Sequence, residues 1–421
     1  HGTLHDTGAR GDQGSAHNVH LIDGVIVMRS ASLLLRIVPI VALGLVMLAP
    51  GFAPTTVDAD EPMKPHRLHV PSREGELDAT LWVRDGFTIS VFGAVPGTLR
   101  TIAQAPTGEM VVSELWEGRI LILRDRDGDG FAEEVTPLLT GLSVSHGVAF
   151  AGTALYVTET NKVLRLDPWN DPATATKIIT LPAGADIPGN PNHQTRSVMV
   201  GPDNKLYVSI GSYCDACAET DPMRGAIWRY NLDGTGGELF ARGLRNAVGM
   251  TVEPATNRMW VAEMGSNNLG PDLPPDEINV LGPAGSDYGW PYCYGNRTVQ
   301  PPLGSPERCA NTVPSVMDLP AHVAPLGLAF VTGSNFPAEY QGDLILAQHG
   351  SALLDDPIGY KVVRIPMRNG QLQPPEELVR GWLRGKGAWG RPVMPFFGLD
   401  GNLYLTDDKT GVIYRIQASR Q

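Results

Sequence analysis

Short runs in which apolar and polar residues alternate, each bounded by Gly, Pro, Asn or Asp, recur along the chain from Ile102 onward. In VMVGPDNKLYVSIG, from Val198, Ser197 to Val200 and Leu206 to Ile210 are β-rich, and the Gly-Pro-Asp-Asn between them is turn chemistry. The same pattern returns in IAQAPTGEMVVSE from Ile102, VAFAGTALYVTET from Val148, VGMTVEPATNRMWVAEMG from Val248, LGLAFVTGSNFPAEYQGDLILAQHG from Leu326 and VMPFFGLDGNLYLTDD from Val393. Each is followed, after a loop of variable length, by a further alternating run: GRILILRD, NKVLRLD, GAIWRYN, DEINVLG, YKVVRIP and GVIYRIQ. A repeating unit is therefore three or four antiparallel strands over roughly 45 to 85 residues.

Such a unit cannot bury both its faces alone, whereas six of them around an axis can. The pattern predicts an all-β chain folded as a six-bladed β-propeller over residues 79–417, with LWVRDGFTISVFGAV supplying the strand that closes the ring against the last blade. Two separate β-sandwiches are the competing architecture, but their strands would not share one motif.

In a propeller the first strand of each blade lines the central channel, so the residues at those strand starts converge at one face. Aligning the repeats places Arg100, His146, Arg196, Asn246, Ala324 and Arg391 in one register, with His193, Arg245 and His322 beside them. Three arginines in that ring suit an anionic or hydrogen-bonding ligand. His193 is a general-base candidate, because imidazole titrates nearest neutral pH. Arg245 and Asn246, in GLRNAVGM, could offer a charge and an amide to a developing oxyanion.

Composition narrows the classes. Gly 48 and Pro 35 accompany a 42% hydrophobic share and only 19% charge, which describes a folded, turn-rich protein. A net charge of -12 argues against nucleic acid, which needs a basic surface. From Met28, two arginines, an apolar stretch to Leu48 and then small residues follow the order of a secretory signal peptide. Residues 28–59 are therefore expected to be a signal peptide or membrane anchor with its linker, and residues 1–27 an upstream extension. An exported chain with four cysteines suggests two disulfides, for which we expect Cys214 with Cys217 and Cys293 with Cys309; a Cys-x-x-C redox or zinc site is the alternative. Asp125, Asp127 and Asp129 in DRDGDGFAEE match the first half of a calcium loop, but position twelve is Thr136 where an EF-hand has Glu, so at most a loop calcium site is expected, with a solvated acidic hairpin tip as the equal alternative.

NHQTRSVMVGPDNKLYVSIGS, GLRNAVGM, DEINVLGPAGSDYGWPYCYGN, HVAPLGLAF, QGDLILAQHGS with GYKVVRI, and GRPVMPFFGLDGNLYLTDDKTGVIYRI together resemble the glucose/sorbosone dehydrogenases. Those quinoproteins carry pyrroloquinoline quinone (PQQ) in a six-bladed propeller. The resemblance implies that His193 is the base for an aldose, a sorbosone-like sugar or a related alcohol, and that Arg245 and Asn246 flank the quinone oxygens. It implies Arg391 at the cofactor's carboxylates; His349 or Lys361 could substitute for the family's second cation there, and the strand-start register adds Arg196 and His146 to the cofactor-holding ring. The carbonyls of Gly265 and Ser266 would hold a calcium ion bridging to the cofactor. After HGS this chain reads ALLDDPIGY, where many members of that family carry a Trp and an Arg. The expected activity is that of an exported, periplasmic or secreted, PQQ-dependent oxidoreductase passing electrons to an external quinone or cytochrome. A calcium-dependent lactonase-type hydrolase and a non-catalytic binding propeller are the alternatives.

Overall fold

The computed structural model describes residues 62–183, 193–351 and 355–419. The expected upstream extension and the signal peptide or anchor lie outside the described residues. No helix among the described residues is long and apolar enough to cross a membrane.

The chain is all-β and propeller-like. Six sheets of four or more strands form among the described residues. Their innermost strands are Leu99–Gln104, Val148–Ala151, Arg196–Val200, Ala247–Val252, Pro325–Phe330 and Pro392–Phe397. Each packs against the next, and the sixth packs against the first, so the cycle closes.

Alternation explains how the sheets stack. A strand presents successive side chains to opposite faces, and here both faces meet another sheet. In Met110–Glu114 every residue is buried: Val111 enters an apolar cluster with Val148, Leu155 and Val157 of the following sheet, while Met110 and Val112 pack with Tyr404 and Ile413 of the last. Equivalent clusters lie between the other neighbouring sheets, as with Val208 against Tyr156 and Leu344 against Trp260. The turns follow their chemistry: Asn204 adopts φ 57°, and its N–H donates to the Gly201 carbonyl at 3.0 Å.

The ring is closed by Phe87–Ala94, which pairs antiparallel with Val412–Ala418, Phe87 opposite Ala418 and Ala94 opposite Val412. Only the second part of LWVRDGFTISVFGAV does this. Leu81 to Arg84 belong instead to a hairpin of Met63–Ser72 and Gly75–Arg84, which adds to the outer edge of the fifth sheet through Val83 opposite Val379. This hairpin lacks the repeat motif, so nothing in the periodic pattern announces it.

Candidate functional site

At the starts of the innermost strands lies a cavity of about 300 Å³, lined by Arg100, His193, Arg245, Asn246, Gly265, His349 and Arg391 together with Asp276 and His322. Eight of these nine, all but Asp276, were expected from the sequence and meet in one place. Arg196, His146 and Lys361 do not reach it. Arg196 is fully buried and donates to the carbonyls of Pro182, His193 and Thr195. His146 is 1% exposed, with Nδ1 against the Arg196 carbonyl. Lys361 pairs with Glu377 at 2.9 Å on an outer strand. Register predicts convergence of backbones, but the first two side chains are held back by local carbonyls.

His193 adopts φ 49°, and His322 and Ala324 on the same cavity adopt 65° and 51°. Left-handed backbone at non-glycine residues is strained and persists only where the surroundings over-determine it. Gly211 makes room for the histidine: a Cβ there would lie 2.5 Å from the His193 Cβ and 2.6 Å from Asn246 Oδ1. Nδ1 of His193 sits 3.0 Å from both the Ser212 carbonyl and Ser212 Oγ. A carbonyl can only accept, so Nδ1 carries the proton and Nε2 is the basic nitrogen. Burial, then the neighbouring Arg245 guanidinium, push the imidazole down to about 3. It is a neutral base at physiological pH.

The cations are held by carboxylates from distant chain segments. Arg100 Nη1 donates to Asp408 at 2.7 Å, and His349 Nε2 donates to the same oxygen at 2.9 Å. Burial opposes ionisation of Asp408, but His349, Arg100 and Arg391 together hold its carboxyl well below the usual range. Arg391 donates to the carbonyls of His349 and Gly350, and its own N–H is accepted by Asp407 at 2.9 Å. Arg100 Nε is buried without a partner. A buried guanidinium with an unused donor is chemistry for an anion.

On the opposite wall, Asp276 accepts the Gly265 N–H and the Ala324 N–H, both at 2.8 Å, and so ties the 265–266 turn to the fifth innermost strand. Burial pushes its carboxyl up to about 6. Ser266 stands behind the wall, its hydroxyl donating to Asn268 and accepting from Gln300. Asp276, Asp408 and Asp215, which grips Arg245, were not singled out from the sequence. The pair Asp407-Asp408, closing a strand at the axial face, was the one available signal.

Both expected disulfides form, Cys214–Cys217 and Cys293–Cys309, and no cysteine is free. In the hairpin at 125–133, Asp125, Asp127 and Glu133 bring carboxylate oxygens within 4.8 Å of one another. Asp129, expected in that set, instead accepts the Phe131 N–H at 2.7 Å.

Comparison with known proteins places this site in context. Residues 104–418 match a family described as a domain of unknown function, DUF7133. An uncharacterized protein of Borreliella burgdorferi is 30% identical over 81% of this chain and 92% of its own length. A pyrroloquinoline quinone-dependent sugar dehydrogenase of Hypocrea jecorina is 25% identical over 76% of this chain and 85% of its own. Among solved structures, a Trichoderma reesei carbohydrate-active enzyme of family AA12 superposes with TM-score 0.69 at 23% identity, covering 85% of this chain and all of that one. The PQQ domain of a Coprinopsis cinerea pyranose dehydrogenase superposes with TM-score 0.66 at 22% identity, covering 80% and 97%. At such identities the superpositions show a shared fold.

Proposed function

The chain belongs to the DUF7133 family, and from its cavity and its named relatives we propose that it is an exported PQQ-dependent oxidoreductase of sugars or related alcohols, built on a six-bladed propeller. The observation that carries the reading is a neutral histidine, His193, facing three guanidiniums and an amide in one cavity. Homologues named as PQQ-dependent sugar dehydrogenases support it. The two disulfides support an oxidising compartment.

The residues present fit the cofactor. PQQ is a planar polyanion; Arg391 and Arg100, with its unused Nε–H, would hold its carboxylates, and His349, whose Nε2 is engaged with Asp408, would line the pocket beside them. Arg245 and Asn246 would face the quinone oxygens. The Gly265 and Ser266 carbonyls are the ligands we assign to a calcium ion. When bound, PQQ supplies a two-electron acceptor for the hydrogen on the carbinol carbon. The protein's own contribution is to take the hydroxyl proton at His193 Nε2, hold that ring through Ser212, and aim the remaining N–H donors of Arg245 at the oxygens that gain charge. A lactonase-type hydrolase would need several free carboxylates at the axis, whereas Asp276 gives both oxygens to backbone N–H groups and Asp408 serves Arg100 and His349.

The test is titration of the purified protein with PQQ in calcium and then in EDTA, following cofactor absorbance, with dye reduction on a panel of aldoses. Calcium-dependent binding and dye reduction that disappears in His193→Ala are expected. Absence of binding to the wild-type protein would overturn the reading.

A further inference from the structure

The segment between the third sheet's second and third strands, residues 211–225, is irregular, yet it touches three parts of the site at once. Ser212 accepts from His193 Nδ1 and, through its hydroxyl, donates to the Cys214 carbonyl at 2.6 Å. Asp215 stands between the two cysteines of the Cys214–Cys217 disulfide. Its carbonyl accepts from Arg245 Nε at 2.9 Å and its Oδ1 accepts from Arg245 Nη2 at 2.8 Å. The same Oδ1 accepts the Asn267 N–H at 2.9 Å, and the Asp215 carbonyl also accepts from Trp290 Nε1 at 3.2 Å.

A guanidinium has five N–H donors in a rigid fork. For Arg245, Nε–H and one Nη2–H go to Asp215, and one Nη1–H goes to the Met264 carbonyl at 3.3 Å. One Nη1–H and one Nη2–H therefore remain for a ligand in the cavity, and their direction is set by the bonds already made. The side chain of Asp215 is 32% exposed while that of Arg245 is 6% exposed, so the grip comes from the solvent side and the open donors face inward. The disulfide ties the residues on either side of Asp215 together, which limits the conformations this short loop can adopt.

We propose that Asp215 is a positioning residue for Arg245, and that the Cys214–Cys217 disulfide is the anchor that keeps Asp215 in place. The proposal rests on the reading of Arg245 as a cofactor partner, and it adds a role for the Cys-x-x-C segment that is neither redox catalysis nor metal binding. Orientation, and not the carboxylate's charge, is the contribution. Oδ1 meets both Arg245 and Asn267, while Oδ2 makes only a longer contact, 3.1 Å, with the Asn267 N–H, so an asparagine whose amide oxygen takes the Oδ1 place preserves the two shorter bonds.

The experiment compares wild type, D215A, D215N, and the double variant C214S/C217S, with C293S/C309S as a disulfide control. The first readout needs no cofactor: the Nη2–H resonance of Arg245, the donor that meets the Asp215 side chain, in protein labelled with ¹⁵N-arginine and assigned by its loss in R245K. It is expected to persist against solvent exchange in wild type, D215N and C293S/C309S, and to vanish in D215A and C214S/C217S. The second readout is PQQ affinity by absorbance titration, expected to fall about tenfold or more in D215A and C214S/C217S and to stay within about threefold in D215N, the size of one lost charge-assisted bond. Combining D215A with C214S/C217S should give little further loss, because both act through one interaction. A protected resonance in D215A, or equal losses in D215A and D215N, would overturn the positioning role. Full protection in C214S/C217S would overturn the anchor. Failure of wild type to bind PQQ would instead sink the functional reading, while the resonance still decides the position of Arg245.

Discussion

Burial and the Arg245 guanidinium push His193 down to about 3, against the pull of the Ser212 carbonyl, and this makes an unusual titration the sharpest check on the site. At its ordinary value near 6.5 an imidazole at pH 5 is about 97% protonated; with a midpoint of about 3 it is about 1% protonated. The fraction of usable base at pH 5 therefore differs about 30-fold between the two cases. The assay is the His193 Cε1–H shift in ¹³C-histidine-labelled protein without cofactor from pH 7.5 to pH 4, assigned with His193→Gln. No more than a small inflection is expected near pH 6, where Asp276 across the cavity titrates. Arg245→Gln removes the second cause and leaves the first, so the midpoint should rise but remain below about 6.5. In the loaded enzyme kcat/KM should accordingly survive acidification past the point where an ordinary histidine base fails. A His193 midpoint at or above about 6 in the wild-type protein would refute the argument that burial and Arg245 keep the base neutral.

Three further outcomes follow from the packing and the charges. Asp408→Ala leaves Arg100 and His349 without their shared carboxylate, and should lower stability by about 3–5 kcal/mol in denaturant unfolding at pH 7. Because the folded carboxyl lies below its unfolded value, that stabilisation is present above about pH 4 and is lost as pH falls toward the folded value, so wild type and Asp408→Ala should converge in acid. Gly211→Ala puts a methyl 2.5 Å from the His193 Cβ, and should abolish PQQ-dependent dye reduction while circular dichroism still reports the β fold. Phe92→Ala empties an edge-to-face contact with Tyr404, centroids 4.8 Å apart, in the strand that closes the ring, and should cost about 3–5 kcal/mol with a matching fall in the unfolding midpoint.

Much of the fold was legible because its physics is local. The strand-turn-strand runs carry a period of two, and the turns between them contain the Gly and Asn that the backbone needs, as at Asn204. The closing strand Phe87–Ala94 could be anticipated since its alternation matches a half-open last sheet. The hairpin of residues 63–84 could not, because an added outer edge leaves no mark on the repeat and is set by tertiary pairing with Glu376–Arg380.

The site divides along the same line. Register alone brings Arg100, Asn246 and Arg391 to one face, since it follows from where each innermost strand begins. Register carries no information about side-chain direction once a carbonyl is nearer than the channel, and so it also nominated Arg196 and His146, whose nitrogens meet backbone oxygens instead. It is equally silent about the compensating charges. Arg100 and Asp408 lie 308 positions apart in sequence, and Arg245 meets Asp215 across an irregular segment with no periodicity to read. A ring of arginines seen in a sequence therefore overstates the free positive charge at an axis. Of the three guanidiniums that line this cavity, Arg100 and Arg245 are already matched by carboxylates, and Arg391 donates to two backbone carbonyls. What those partners leave is a set of directed N–H donors in a nearly balanced field. That favours a planar ligand with acceptors at fixed positions over an arbitrary anion, and inorganic phosphate should accordingly compete poorly with PQQ for the cavity in an equilibrium titration.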